Sequence, residues 1–399
     1  MRAAFALILA AIFFAVPAAG GVVDEVVAQV SQARYTSDLS TQLFTHNGNN
    51  RGLAGADHDP ARNHIQQTLA DLSLATTLDP FIYSNSTYYN VVAVQPGRTR
   101  PEQVYIVGAH YDSVNCPGAD DNASGVAGVL EAARVLSAWP TEATVIYIGF
   151  DREEQGLKGS YAYAGAHAAN DIRGMISLDM IAYNPTGSNH NKALLYGRTA
   201  SGTIKQAMAQ MVQQYGGIAS TDMGQLDASD HAPFESYGKQ ACLLIEAAVW
   251  QNPYYHKTTD SVDTASYIDY DYATRMTAGA VGYLATYAGA LRWGDATGDD
   301  VVDVRDLGAL AFNYNDAGTG WSDGDFDGNG VVDVRDLAIL ALHYQEGVPP
   351  PPADAAMSAD SSPVPEPATL AFLAMGVVLV RRRARVPRRA LFPAVRTAN

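Results

Sequence analysis

Val104-Tyr105-Ile106-Val107-Gly108-Ala109-His110-Tyr111-Asp112 is a short apolar run that ends on an imidazole and a carboxylate. Its length and β-branched content predict a buried strand. Ser124 to Trp139 follows with Val126, Val129, Leu130, Ala133 and Leu136 at helical spacing, and Ser124 stands where an N-cap is expected. Thr144 to Phe150, Met175 to Leu178 and Ala241 to Ile245 read as further strands, and Tyr270 to Leu291 as a closing helix. Strands alternating with helices predict an α/β fold with helices on both faces of the sheet. In such folds ligands sit outside the carboxyl ends of the strands.

The chemistry-bearing residues gather at those ends. His110 and Asp112 follow the first strand, and Asp120-Asp121-Asn122 precedes the helix at Ser124. Asp151, Glu153 and Glu154 follow Phe150, Asp179 follows Leu178, and His256 lies beyond Ile245 in Pro253-Tyr254-Tyr255-His256. Any one of these is an ordinary exposed charge or cap. Separate segments delivering carboxylate or imidazole to one edge point instead to a divalent ion, and the mixed donor set suits zinc.

In order along the chain stand His110-Tyr111-Asp112-Ser113, Pro117-Gly118-Ala119-Asp120-Asp121-Asn122-Ala123-Ser124-Gly125, Glu153-Glu154-Gln155-Gly156-Leu157-Lys158-Gly159-Ser160, Leu178-Asp179-Met180 and Tyr255-His256. This set resembles the motifs of the secreted di-zinc aminopeptidases of the bacterial leucyl aminopeptidase type, over roughly residues 30–290. The resemblance implies a three-layer α/β/α fold with a mixed, mostly parallel central sheet, as in zinc exopeptidases. It implies two zinc ions, with Asp120 bridging them, His110 and Asp179 completing one site, and Glu154 and His256 the other. By the same likeness Glu153 is the general base, Tyr255 donates to the developing oxyanion, and Asp112 orients His110 from behind. Asp260 is expected to orient His256 in the same way. Asp230-His231 matches a segment near the family's substrate pocket, and it equally reads as the start of a helix. Trp250 and Phe234 are candidates for a pocket wall or for the core.

A repeat of 30 residues lies near the C-terminus. Gly294-Asp295-Ala296-Thr297-Gly298-Asp299-Asp300 and Gly324-Asp325-Phe326-Asp327-Gly328-Asn329-Gly330 each lead into the identical run Val-Asp-Val-Arg-Asp-Leu after one further valine, Val301 or Val331. Loop positions 1, 3, 5, 9 and 12 are Asp295, Thr297, Asp299, Asp303 and Asp306, then Asp325, Asp327, Asn329, Asp333 and Asp336. All are oxygen donors, and Val301 and Val331 would each add a backbone carbonyl at position 7, a pattern that suits calcium. Residues 293–346 resemble a dockerin domain, with Asp instead of a bidentate Glu at position 12 and Asp300 in place of the turn glycine of the first loop. The resemblance implies up to two calcium ions and a cohesin-type partner met by Val304-Arg305 and Val334-Arg335. A self-contained calcium-stabilised module is the equal alternative.

The two ends read as addresses. Residues 1 to about 20 have Arg2, an apolar run Ala3 to Val16 and small residues suited to cleavage, which predicts a signal peptide and not an anchor. Gly347 to Pro363 is a Pro/Ala/Ser-rich linker. Val364-Pro365-Glu366-Pro367, an apolar run Ala368 to Val380 and Arg381-Arg382-Arg383-Ala384-Arg385 resemble the PEP-CTERM sorting signal of Gram-negative bacteria, followed by a tail from 386 to 399. That likeness implies export and a membrane sorting protease of the exosortase type. The expected organisation is therefore a signal at 1–20, a catalytic domain at 22–292, the calcium module at 293–346, the linker at 347–363, the sorting signal at 364–385 and the tail.

The net charge of −16 disfavours nucleic acid as a partner. Loss of both ends takes Lys+Arg from 26 to 18 and Asp+Glu from 42 to 41, for about −23. Two cysteines exclude a disulfide scaffold and leave one Cys116–Cys242 bridge open. The expected function is a secreted zinc aminopeptidase acting on peptides with a free N-terminus. The alternatives are a glutaminyl cyclase, a carboxypeptidase, and a non-catalytic module on a cohesin-bearing assembly. A carboxypeptidase needs clustered arginines for the substrate carboxylate, and the five in mid-domain (Arg134, Arg152, Arg173, Arg198, Arg275) stand apart.

Overall fold

The computed structural model describes residues 21–348, so the signal-like start, most of the linker and the sorting-type tail lie outside the described residues. Helices α1 (Val22–Val27), α2 (Gln32–Ser37) and α3 (His58–Asp71) precede strands β1 (Ala75–Tyr83), β2 (Ser86–Gln95) and β3 (Arg100–His110). Then come α4 (Gly125–Leu136), β4 (Ala143–Phe150), α5 (Lys158–Ala166), β5 (Asp171–Leu178), β6 (Lys192–Tyr196), α6 (Gly202–Gly216), β7 (Ala219–Asp222), α7 (His231–Ser236), β8 (Ala241–Glu246) and α8 (Tyr270–Tyr287). The eight strands form one sheet in the order β1-β2-β4-β3-β5-β8-β6-β7. β4, β3, β5 and β8 run parallel at its centre, while β1, β2 and the β6/β8 pair bring antiparallel ladders to the flanks. The expected mixed, mostly parallel α/β fold is thus observed.

Alternating side chains of the central strands enter two cores, as a pleated strand requires. Tyr105, Val107, Ala109, Val145 and Tyr147 pack with Val126, Val129 and Leu130 of α4 and Met276 and Val281 of α8. Val104, Ile106, Ile146, Ile148 and Phe150 pack on the other face with Tyr163 of α5 and Phe234 of α7. Phe234 is therefore core. Burial on both faces is why these strands read as continuous apolar runs. The closing helix is shorter than expected, because Gly289 adopts φ 71° just beyond it and turns the chain. Ser124 stands at the N-cap of α4, as expected, but its side chain makes no capping hydrogen bond. Its hydroxyl donates to the Asp120 carbonyl, and the Gly125 amide is met by Asn122 Oδ1 instead.

Helices α9 (Val304–Asn313) and α10 (Val334–His343) follow the two acidic loops and pack around Val302, Leu307, Leu310, Trp321, Phe326, Val332 and Leu340. This unit is fastened to the α/β domain. Buried Arg292 pairs with both carboxylate oxygens of Glu25 at 2.8 Å and donates to the Asp300 carbonyl of the first loop. Arg98 donates to the Asp327 carbonyl of the second loop and lies over the Trp293 ring, whose indole N–H donates to the Ala138 carbonyl. Cys116 and Cys242 are buried and unpaired.

Candidate metal centre

Parallel register sets the ends of the central strands level, with His110 opposite Phe150 and Leu178 opposite Leu244. The residues just past those ends therefore converge. His110 is buried, and its Nδ1 lies 3.1 Å from the Asp112 carbonyl oxygen. That hydrogen bond leaves Nε2 facing the cluster, where Asp121 Oδ1 stands at 3.4 Å and Asp179 Oδ1 at 3.5 Å. On the other side, His256 Nε2 lies 3.1 Å from Asp121 Oδ2 and 3.4 Å from Glu154 Oε2. One carboxylate, that of Asp121, thus faces both imidazoles. The donor atoms of His110, Asp121 and Glu154 lie within 4.8 Å of one another, and so do those of His110, Glu153 and Asp179.

The expectation for Asp120 is corrected. Its carboxylate points away from the imidazoles, accepting from the Ala182 amide at 2.9 Å and from Asn252 Nδ2 at 3.1 Å. The reason lies in the local backbone. Asp121 and Asn122 have non-helical φ/ψ of −106°/89° and −133°/45°, so neighbouring side chains project to opposite sides. Asn122 donates to the Leu178 carbonyl and accepts from Gly125 and Met180, which ties the loop to the end of β5. Asp260 is corrected too. Its oxygens accept from the Asp120 and Asp121 amides, and no hydrogen bond joins it to His256 among the described residues.

Asp112 does more than its expected part. Besides the carbonyl contact with His110, its two carboxylate oxygens accept from the amides of Glu153 and Glu154 at 3.1 and 3.3 Å. One residue, through its carbonyl and its carboxylate, therefore positions the acidic pair relative to the imidazole. Tyr255 stacks on His256, with ring centroids 3.8 Å apart, and remains partly exposed at the mouth. His256 itself adopts φ 57° and Met180, next to Asp179, φ 50°. Left-handed backbone at non-glycine residues is held only where the surroundings over-determine it, often at functional sites.

The electrostatics favour a bound cation. Burial pushes the Glu154 carboxyl up to about 7, with Asp121 adding to it and His256 opposing. Burial likewise drives Glu153 well above the ordinary range, against the pull of His110. The carboxylates of Asp121 and Glu154 hold His256 up at about 10. Asp179 Oδ1 and Glu154 Oε1 are buried without a hydrogen-bond partner. Orphaned buried acceptors beside two imidazoles form a donor set that suits zinc, and so the residues present fit that metal.

A pocket opens on the cluster, walled by Met180, Leu226, Leu243, Ile245, Val249 and Trp250. Apart from Trp250, these wall residues carried no sequence signal, because an apolar residue near a strand end reads as core. Asp230 is buried just before α7, with both carboxylate oxygens unpartnered, and burial lowers the adjacent His231 to about 4.

In the C-terminal unit the second loop brings oxygens of Asp325, Asp327 and Asp336 within 4.8 Å of one another. Asn329 accepts from the Val331 amide, and Asp333 caps α10 through the Arg335 amide. In the first loop Asp295 and Asp306 accept from turn amides, and Thr297 donates to Asp295. Asp299, beside Val301, pairs with Arg305 at 2.6 Å, and Asp303 pairs with it at 2.8 Å.

The fold is the α/β fold of zinc aminopeptidases. The LapA aminopeptidase of Legionella pneumophila superposes with a TM-score of 0.59 at 19% identity, covering 67% of this chain and 75% of that one. A glutaminyl cyclase of Bacteroides thetaiotaomicron has the same fold, with a TM-score of 0.54 at 17% identity over 64% of this chain and 97% of that one. Residues 90–283 match the family model described as Peptidase family M28, and the whole cluster falls within them. Aminopeptidase YwaD of Bacillus subtilis (strain 168) is 30% identical over 237 residues, 55% of this chain and 49% of that protein. The chain spans about half the length of the first curated relatives it matches. Fold alone does not choose between peptidase and cyclase; the residues of the site do.

Proposed function

We propose that this chain is a zinc-dependent aminopeptidase that hydrolyses the first peptide bond of peptides with a free N-terminus. The observation that carries this reading is the Asp121 carboxylate facing both His110 and His256, each flanked by its own acidic partner. His110, Asp179 and Asp121 would hold one zinc, and Asp121, Glu154 and His256 a second. When bound, zinc supplies Lewis-acid polarisation of water and of the scissile carbonyl.

The protein's own groups do the rest. Glu153, held high by burial, takes the proton of the attacking water and passes it to the leaving amine. Tyr255 donates its phenol hydrogen to the carbonyl oxygen as that atom gains charge. Asp112 keeps Glu153, Glu154 and His110 in mutual register. The family match and the named aminopeptidase relative support this reading.

The C-terminal unit is proposed as a dockerin-like module, in which Asp325, Asp327, Asn329, Val331, Asp333 and Asp336 would bind calcium and the first loop a second ion. The exposed Val304 and Val334 at equivalent positions support a face for a cohesin-type partner. The two ends of the sequence support export through a signal peptide and an exosortase-type sorting protease, to the surface or exterior of a Gram-negative-type bacterium.

The test is hydrolysis of leucine-p-nitroanilide beside its N-acetylated form, with zinc counted in the same sample. Cleavage of the free amine alone with about two zinc per chain is expected. No cleavage with a single zinc would move the assignment to a cyclase.

A further inference from the structure

His256 and Asp121 come from loops far apart in sequence, yet their side chains meet at 3.1 Å. Something must register the two loops. Asp260, four residues after His256 and fully buried, provides the link. Its Oδ1 accepts from the Asp120 amide at 2.8 Å and its Oδ2 from the Asp121 amide at 3.1 Å. Its backbone carbonyl accepts from the Ala119 amide at 3.1 Å. Three successive N–H groups of the Asp121 loop thus end on one residue of the His256 loop. Its own amide closes a turn back onto the Lys257 carbonyl at 2.9 Å, which holds it close to His256.

The other side of the loop is held by a cation. Arg51 is fully buried and donates to the Gly118 carbonyl at 2.7 Å and the Leu43 carbonyl at 3.2 Å. Gly118 adopts φ 60°, and a Cβ there would stand 2.3 Å from the Asp121 carbonyl oxygen, so the turn needs glycine. The Asp121 loop is therefore gripped at its carbonyl entry by Arg51 and at its amides by Asp260. Buried amides need partners, but a water or a nearby carbonyl would satisfy them one at a time. A carboxylate taking two in succession fixes the peptide plane between them, and with it the direction in which the Asp121 side chain leaves the chain.

We propose that Asp260 is a positioning residue of the metal centre, which sets the Asp121 carboxylate in register with His256 by clamping the Asp120 and Asp121 amides. The inference rests on the zinc reading above. Its consequence is that metal affinity depends on a carboxylate that touches no metal, an effect of the kind and size seen when partners behind metal ligands are removed.

The full chain and its Asp260→Ala and Asp260→Asn variants would be titrated with zinc against a competing chelator. The apo forms would be checked by circular dichroism, and kcat and KM measured on leucine-p-nitroanilide. Asp260→Ala is expected to weaken zinc about 10- to 100-fold. Asp260→Asn, which keeps one acceptor oxygen, is expected to lose less. In both, kcat should fall while KM stays within about twofold, since the pocket wall is untouched. Zinc affinity within twofold of the parent in folded Asp260→Asn, whatever its melting temperature, would reduce Asp260 to a structural residue and overturn the proposal. If Asp260→Ala does not fold, Asp260→Asn alone decides. A parent chain that binds no zinc would overturn the zinc reading and this one with it.

Discussion

Two acidic regions of this molecule are built in opposite ways. At the sheet edge, His110, Asp121, Glu153/Glu154, Asp179 and His256 arrive from five separate segments, with His110, Asp121 and Asp179 buried, the two glutamates half-buried and His256 exposed. In the C-terminal unit, the second cluster comes from one stretch of twelve residues, Asp325 to Asp336, with Asp325 and Asp336 buried and Asp327 half-buried. The first needs the whole fold to exist. The second needs only a turn and the first turn of a helix. A site assembled from many segments can be shielded and finely set, while a site on one loop can be duplicated, as Asp295 to Asp306 shows. Duplication also allows divergence. In the first loop Arg305 pairs with Asp299 and Asp303, whereas position 5 of the second loop is the neutral Asn329.

The largest expected effect falls on the assembled site. Glu153→Ala should lower kcat/KM on leucine-p-nitroanilide by about 10²- to 10⁴-fold with zinc content unchanged. If zinc is lost as well, Glu153 is a ligand and not a base. Next, Asp121→Asn should empty the centre of zinc under chelator, while Asp120→Asn should leave it loaded and cost mainly melting temperature. The reverse result would restore the sequence-based choice of bridge.

Removing calcium tests the other half of the comparison. Addition of calcium to chelator-treated chain at about 100 times its dissociation constant should stabilise it by about 2.7 kcal/mol per site, read from the melting temperature. Asp325→Ala should abolish more of that gain than Asp295→Ala, because Arg305 already neutralises part of the first loop. Equal losses would make the loops equivalent.

The smallest effect concerns a buried carboxylate that has its own cation. Asp38 meets both terminal nitrogens of Arg134, at 2.5 and 2.9 Å. Burial raises its pKa, but hydrogen bonding from His64 and Arg134 outweighs that and leaves it below the usual value of 3.8. A depressed folded pKa means stability that is present above about pH 4 and lost as pH falls through the folded value. Asp38→Asn should cost about 2 kcal/mol at neutral pH and remove that part of the acid sensitivity, as a pH series of urea melts would show.

Much of this was legible in the sequence, and the limits have physical causes. The parallel strands were readable because burial on both faces leaves unbroken apolar runs such as Val104 to Ala109. The strand-end acids were readable because Leu178-Asp179 and Phe150-Asp151 break those runs abruptly. The carboxylate that faces both imidazoles was misplaced by one residue, since Asp120 and Asp121 are chemically identical and only the non-helical backbone at Asp121 separates their directions. The amide clamp of Asp260 was invisible for another reason: its partners are backbone groups, which every residue carries.

The hold of Arg292 and Arg98 on the two acidic loops has a consequence for how the molecule moves. A module on a slack tether lets its enzyme tumble independently of whatever it is moored to. Here α9, α10 and the mouth turn together, so any partner gripping those two helices would choose the bearing of the mouth as well. Fluorescence anisotropy of a dye on the Val334 face should report the rotational correlation time of the whole particle, not of a small free module.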